Sequence, residues 1–364
     1  MGKSLFLVNS VYHLLTTVNL KHKVFPGEEG DLVLTDATPG LSSLASRIEE
    51  TGLFRRVIPA QTKELAVQFP MNQPEAVDRC FEERETLLHW ALGEELEREY
   101  KKVFFPNFDW LARMLACRYF YSPCDFYWLE DGFSSYVVDF LRPDRAAVNC
   151  HPEGKKLGEK TKEVLLYEPR LSMRGDRLPN RRLPKLSRED GAVKEALNFI
   201  FDYHAPQDLP PFLFLEQSFR TEQIKGNDLE LMAQCQRTVG QGHFGVKLHP
   251  RNQDHLVQDL GLTRKMDLSV PWELYLLNQE KQIPTVITVC SNGAFSGKLC
   301  LGLDLNTVML YKLYTGNVLW KENHILSRYL ETFRRQFAGK GYYVPETLYE
   351  MRSILNYLGG QYGN

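Results

Sequence analysis

The stretch Tyr127-Trp128-Leu129-Glu130-Asp131-Gly132-Phe133-Ser134-Ser135-Tyr136 decides how the chain is read, together with a later one, Gly245-Val246-Lys247-Leu248-His249-Pro250-Arg251. In the first, the apolar run Phe126 to Leu129 is long enough for a short buried strand and ends abruptly in two carboxylates and a glycine. Gly132 permits a backbone conformation that other residues resist. Glu130 and Asp131 can therefore be presented at the C-terminal edge of a parallel sheet, where open α/β folds place their ligands. In the second, Val246 and Leu248 alternate with Lys247 and His249, and Pro250 stops the strand because it has no N–H for the ladder. Either motif alone is ordinary turn chemistry. His151-Pro152 repeats the second in a polar stretch with no strand before it, and reads as loop. Position gives the pair its meaning: a carboxylate at one strand end and an imidazole at another act as base and acid if both edges face one cleft.

Outward from these stretches, Ser4 to Val8 is an apolar strand followed at helical spacing by Val11, Leu14, Leu15, Val18 and Leu20. Asn9 or Ser10 caps that helix, and both also border any cleft at the same edge. Strands over 31–35, 56–59 and 102–106 alternate with helices over 42–51, 74–100 and 110–120, and the many charges of the 74–100 helix read as a solvated face. From His151 to about Arg188 Lys and Arg outnumber acids, and the window reads as a basic connector. After Pro210-Pro211 a second unit follows, with strands over 212–215, 244–248, 285–289 and 307–311 and helices over 228–239, 271–277 and 294–303. Ser291, Asn292 and Gly293 fall between a strand and a helix, where free amides and the positive end of the helix dipole form an anion pocket. Helices over about 319–337 and 345–357 end the chain, and at least one is expected to pack back on the first domain. Alternating strand and helix predicts two Rossmann-like α/β domains with parallel sheets. The expected division is 1–190, with the basic connector at 151–190, then 191–318, then terminal helices over 319–364.

At 364 residues two domains are the default, and 43% hydrophobic with 25% charged residues is ordinary for a soluble globular protein. A net charge of -2 excludes a globally basic nucleic-acid binder. Only Leu5 to Val8 follows Met1-Gly2-Lys3-Ser4 before Asn9, too short for a signal-peptide core, and no apolar run approaches a membrane span. Seven cysteines with no Cys-x-x-Cys pair favour reduced thiols and a cytoplasmic location. There is no Walker loop and no dinucleotide glycine fingerprint after a strand, which disfavours ATPase and oxidoreductase chemistry. The chain also lacks any Asp-x-Asp. Transferases that expel a nucleoside diphosphate often hold it through a carboxylate-bound divalent ion. The absence points to a donor with one phosphate, held without metal or cofactor.

Glu130-Asp131-Gly132, Lys247-Leu248-His249-Pro250, Pro271 with Glu273, and Ser291 resemble the four signatures of bacterial sialyltransferases that use CMP-sialic acid. The likeness is greatest to the lipooligosaccharide sialyltransferases of glycosyltransferase family 52 and the polysialyltransferase group. It spans both halves and implies the GT-B fold, two Rossmann-like domains with a cleft between. It implies that Glu130 is the general base toward the acceptor hydroxyl, with Asp131 orienting the loop or sharing that role. His249 would protonate or hydrogen-bond the departing phosphate of CMP. Lys247 and Pro250 would border the cytidine side, Glu273 would accept from the ribose hydroxyls, and Ser291, Asn292 and Gly293 would hold the phosphate. Cys290-Ser291 stands where the family often has paired hydroxyl residues. Asn9, Ser10, Gly132, Ser134 and Ser135, with Asn107 and Asp109, are the acceptor-side candidates. The implied activity is inverting transfer of sialic acid to a galactoside or sialoside, an oligosaccharide or glycolipid in bacterial surface glycan synthesis. A homodimer and a peripheral seat on an anionic membrane surface are compatible with this reading. Two rivals stay open: a GT-B transferase using UDP-glucose or another CMP-activated sugar, and a non-catalytic glycan- or nucleotide-binding protein.

Overall fold

The computed structural model describes residues 2–206, 209–249, 251–252, 270–279 and 283–362. The chain divides into two compact units, Met1–Pro184 with Gly191–Asp202, and Lys185–Asp190 with Tyr203–Asn364.

The first unit is built on seven strands: β1 (Ser4–Val8), β2 (Gly30–Thr35), β3 (Arg56–Ala60), β4 (Lys102–Phe105), β5 (Asp125–Leu129), β6 (Thr161–Leu166) and β7 (Asn180–Arg182), in the order β3-β2-β1-β4-β5-β6-β7. Every pairing is parallel. The sequence dictates this because β1 and β2 are buried at every position rather than alternating, as strands covered on both faces must be. Phe6, Phe104 and Tyr127 stack across β1, β4 and β5 at 4.7 and 5.1 Å between ring centroids. The strand order reverses direction between β1 and β4, so their C-terminal ends flank the switch point at which doubly wound sheets bind ligands.

The second unit repeats the plan with five parallel strands: β8 (Phe212–Leu215), β9 (Phe244–Lys247), β10 (Thr285–Thr288), β11 (Thr307–Met309) and β12 (Tyr342–Tyr343), in the order β12-β11-β10-β8-β9. Its switch point lies between β8 and β10.

Several expectations change. The 74–100 helix is two helices, Pro74–Glu82 and Arg84–Leu92, the second ended by Gly93 in the left-handed region at φ +66°. The residues beyond it leave helical periodicity and their charges are engaged: Glu94 pairs with Arg56, and Glu97 with Lys3 and Arg55. The supposed connector is part of the first sheet. Helix Pro152–Lys160, for which His151 is the N-cap, leads into β6, whose Val164, Leu165 and Leu166 are buried. The polar start of β6 hid its apolar end, and many of the basic residues have partners: Lys162 with Asp125, Arg181 with Glu163, Arg170 and Arg182 with Glu168, and Arg174 with Asp176.

Helix Gly191–Ile200 belongs to the first unit, because its apolar face of Val193, Leu197 and Ile200 packs on helices Val11–Lys23 and Ala45–Glu50. The final helices are counted with the second unit. Tyr329 and Phe333 of helix His324–Gln336 pack on Phe295, and Met351 of helix Leu348–Gly359 meets Cys235. Their apolar faces cover the second sheet's own helices.

All seven cysteines are free thiols, six of them buried. No described helix is long and apolar enough to cross a membrane.

Candidate functional site

At the first switch point the polar residues that follow β1, β4 and β5 form one connected floor. Asn9, immediately after β1 and buried, donates from Nδ2 to Asp109 Oδ2 at 2.8 Å, while its Oδ1 accepts from Thr35 Oγ1 at 3.2 Å. Asp109 caps helix Trp110–Arg118 through Ala112 N, and burial pushes its carboxyl upward. Asn107, two residues after β4, is oriented by its neighbours: its amide nitrogen faces Asp131 Oδ2 at 2.7 Å and Pro106 O, and its oxygen accepts from Asn9 Nδ2.

The two carboxylates of the opening motif have opposite environments. Glu130 is fully buried. Its amide extends the β5–β6 ladder to Leu165 O, its Oε1 accepts from the Tyr12 hydroxyl at 2.8 Å, and its Oε2 accepts from Tyr167 N at 2.8 Å and from the Tyr136 hydroxyl. Asp131 keeps 37% of its side chain exposed, with one donor on each oxygen: His13 Nε2 on Oδ1 at 2.7 Å and Asn107 on Oδ2. Gly132 takes φ +63°, the left-handed turn that exposes this carboxylate. Ser134 Oγ donates to Asp131 O at 2.8 Å, and the buried Ser135 Oγ accepts from Asp131 N at 2.7 Å. The two serines therefore brace the Asp131 loop. Ser10, the other acceptor-side candidate, is the N-cap of helix Val11–Lys23 and accepts from His13 N.

Burial is the main reason the Glu130 carboxyl is pushed up to about 7, against the opposing donors Tyr136, Tyr167 and Tyr12. A carboxyl raised on folding stabilises the fold while it is protonated and loses that contribution as pH climbs from 4.5 toward about 7. The loss amounts to about 3 kcal/mol. Wild-type unfolding free energy should accordingly fall across this window. Glu130→Gln, in which the Tyr12 hydroxyl can turn to accept from the new amide, should flatten the fall in denaturant titrations at either end.

Sequence reasoning missed His13. It lies in the first turn of the helix after β1, is 1% exposed, and its Nδ1 has no hydrogen-bond partner. Because the Asp131 carboxylate only accepts, Nε2 carries a hydrogen toward it, and Nδ1 is the nitrogen without a partner. Leaving that atom unsatisfied costs about 1–3 kcal/mol, which an apolar side chain at this position would avoid. Nothing local marks His13, since its partner is 118 positions away.

The second switch point gathers the other motifs at the ends of β8, β9 and β10. Glu216, directly after β8 and buried, was also missed, although an apolar run closed by a carboxylate is the pattern that marked Glu130. Its amide extends the ladder to Lys247 O, its Oε2 accepts from His249 N at 2.8 Å, and Arg220 holds Oε1. Gln217 clasps Cys290 across the β8–β10 gap, accepting from Cys290 N at 2.7 Å. Cys290 is thus buried at the strand end, its thiol pushed up to about 12 mainly by burial.

Arg251 N donates to His249 Nδ1 at 3.2 Å, which leaves the ring hydrogen on Nε2 as an available donor. Burial first, then the charges of Arg251 and Lys247, lower His249 to about 4. Lys247 also acts electrostatically on Glu273, the buried carboxylate in the first turn of helix Trp272–Asn278, which burial pushes up. Ser291 Oγ accepts from Gly293 N at 3.2 Å at the start of helix Gly293–Leu301, a bond that leaves the hydroxyl hydrogen unused. Asn292 is exposed at this N-cap. A Cβ on Gly293 would lie 2.3 Å from Leu215 Cδ1. Gly293→Ala should lower stability by about 1–3 kcal/mol through overpacking, read as a lower denaturation midpoint with unchanged slope. Pro250 lies outside the described residues. No three His, Cys, Asp or Glu side chains gather as a metal site among the described residues.

No family model matches the chain, and no curated protein matches it. Among solved structures it is similar to a UDP-glucosyltransferase from Polygonum tinctorium at 11% identity and TM-score 0.50, covering 99% of this chain and 93% of that one. It is also similar to an α/β-galactoside α-2,3-sialyltransferase from the luminous marine bacterium Photobacterium phosphoreum, at 10% and 0.49 over 94% and 98% of the chains. MurG of Acinetobacter baumannii follows at 9% and 0.45 over 99% and 94%. At these identities the likeness is one of fold, two doubly wound parallel-sheet units of the GT-B type.

Proposed function

We propose that the protein is an inverting glycosyltransferase that moves sialic acid from CMP-sialic acid to a hydroxyl of a galactoside or sialoside. One observation carries the reading: each unit brings its sequence motif to the switch point of its own sheet, an exposed carboxylate in the first and an imidazole, a hydroxyl and a helix N-terminus in the second. The second set suits a nucleoside monophosphate. His249 Nε2–H, the Ser291 hydroxyl and the helix dipole are donors for one phosphate, and Lys247 and Glu273 suit the cytidine side. In the first unit the group that takes the acceptor proton is Asp131. A base must touch the hydroxyl it deprotonates, and Glu130 is enclosed by three donors while Asp131 is open. The anomeric carbon of sialic acid is quaternary and carries a carboxylate, so its transition state resembles an oxocarbenium ion. The enzyme's task is then to stabilise the departing phosphate and receive the acceptor proton.

The test is a donor panel of CMP-sialic acid, another CMP-activated acid sugar and UDP-glucose, with lactose and a sialyllactose as acceptors, with and without EDTA. CMP release coupled to acceptor sialylation that survives EDTA is the expected result. UDP release, or tight CMP binding with no turnover, would remove the assignment.

A further inference from the structure

We propose that His13 is a positioning residue whose Nε2–H fixes Asp131 Oδ1 in the orientation that receives the acceptor proton. This rests on the transferase reading above and adds a residue that none of the four motifs contains. The geometry has three parts. His13 Nε2 lies 2.7 Å from Asp131 Oδ1, while Asn107 occupies Oδ2 at 2.7 Å, so each oxygen of this 37%-exposed carboxylate is held by one donor and keeps a further lone pair for a proton. The ring is itself held in place: helix Val11–Lys23 begins at the Ser10 cap, whose Oγ accepts from His13 N, and the Tyr12 and His13 rings meet edge-on with centroids 6.1 Å apart. Finally, His13 Nδ1 is buried without a partner, so the imidazole is not optimised for stability and its one satisfied contact is the one to Asp131. His13 does not touch the acceptor, because its ring is 1% exposed. It acts through Asp131.

The test compares kcat, donor KM, CMP affinity by titration calorimetry and Tm for the wild type, His13→Leu, His13→Gln, Asp131→Asn and His13→Leu/Asp131→Asn. His13→Leu should lower kcat by about 10²-fold, the effect of a small misplacement of a reacting group, with CMP affinity and donor KM unchanged and Tm no lower than wild type. His13→Gln, which restores an N–H donor, should recover part of the loss. The double variant should be no slower than Asp131→Asn within about twofold, since partners acting as one unit are not additive. Multiplying losses in the double variant, a wild-type kcat in His13→Leu, or loss of folding in both His13 variants would overturn the proposal. UDP release in place of CMP would overturn the donor assignment and leave the comparison of variants intact, whereas a wild type that turns over no donor would overturn both.

Discussion

Asp131→Asn is expected to lower kcat for transfer by about 10²–10⁴-fold, the usual contribution of a positioned general base, while CMP binds with unchanged affinity. The substitution is conservative in shape. His13 Nε2–H can still donate to the remaining oxygen, whereas an Asn107 amide turned so that its oxygen meets the new nitrogen gives up its bonds to Pro106 O and Asn9. The CMP titration checks that this local rearrangement does not reach the nucleotide site, so that the loss in kcat reports the ability to take a proton. Glu130→Gln is the informative contrast, since its carboxylate is spent on Tyr12, Tyr136 and Tyr167 N, and its loss of kcat should stay within about tenfold. The outcome that sinks the assignment is the reverse order: Glu130→Gln inactive at a temperature where it is folded, with Asp131→Asn near wild type. The deciding measurement is initial-rate kinetics on both variants beside calorimetric CMP titration.

His249→Ala is expected to lower transfer and acceptor-independent donor hydrolysis together, by about 10²–10³-fold, the loss typical of removing one donor to a developing charge. Arg251 N occupies Nδ1 and so leaves the ring hydrogen on Nε2, and a pKa lowered to about 4 keeps the imidazole an uncharged donor at neutral pH until an anion binds beside it. Joint loss of both reactions separates this residue from Asp131, whose replacement should spare hydrolysis because water needs no positioned sugar hydroxyl. His249→Asn, which keeps an N–H, should fall between. Hydrolysis unchanged in His249→Ala would place the histidine away from the phosphate.

The strands that order the two sheets were legible because the interior of a parallel sheet is written as continuous apolar runs, as in Phe6 and its neighbours or Phe212 to Leu215. What escaped were the margins. β7 and β12 are short, three and two residues, and β6 begins polar, so no run announced them. The return of helix Gly191–Ile200 to the first unit could not be read either, since its apolar stripe says that it packs but not on what. At the site, strand-end chemistry pointed to Glu130, Asp131 and His249. It could not say which carboxylate faces outward, because that is decided by Tyr12, Tyr136 and Tyr167, residues distant in the chain or unremarkable in themselves.

Glu130 and Glu216 share a construction: each follows its strand directly, extends the ladder through its own amide, and ties an adjacent strand's exit through a side-chain oxygen, to Tyr167 N in one unit and His249 N in the other. A strand-end glutamate of this kind is a rivet between neighbouring loops. On the function proposed above, the chemistry falls to a different position, Asp131 in the first unit and His249 in the second. Framework and reagent are thereby carried by separate codons. Such an arrangement is evolvable, since a new reactive group can be tried at 131 or 249 without loosening the rivets that hold the loops in register.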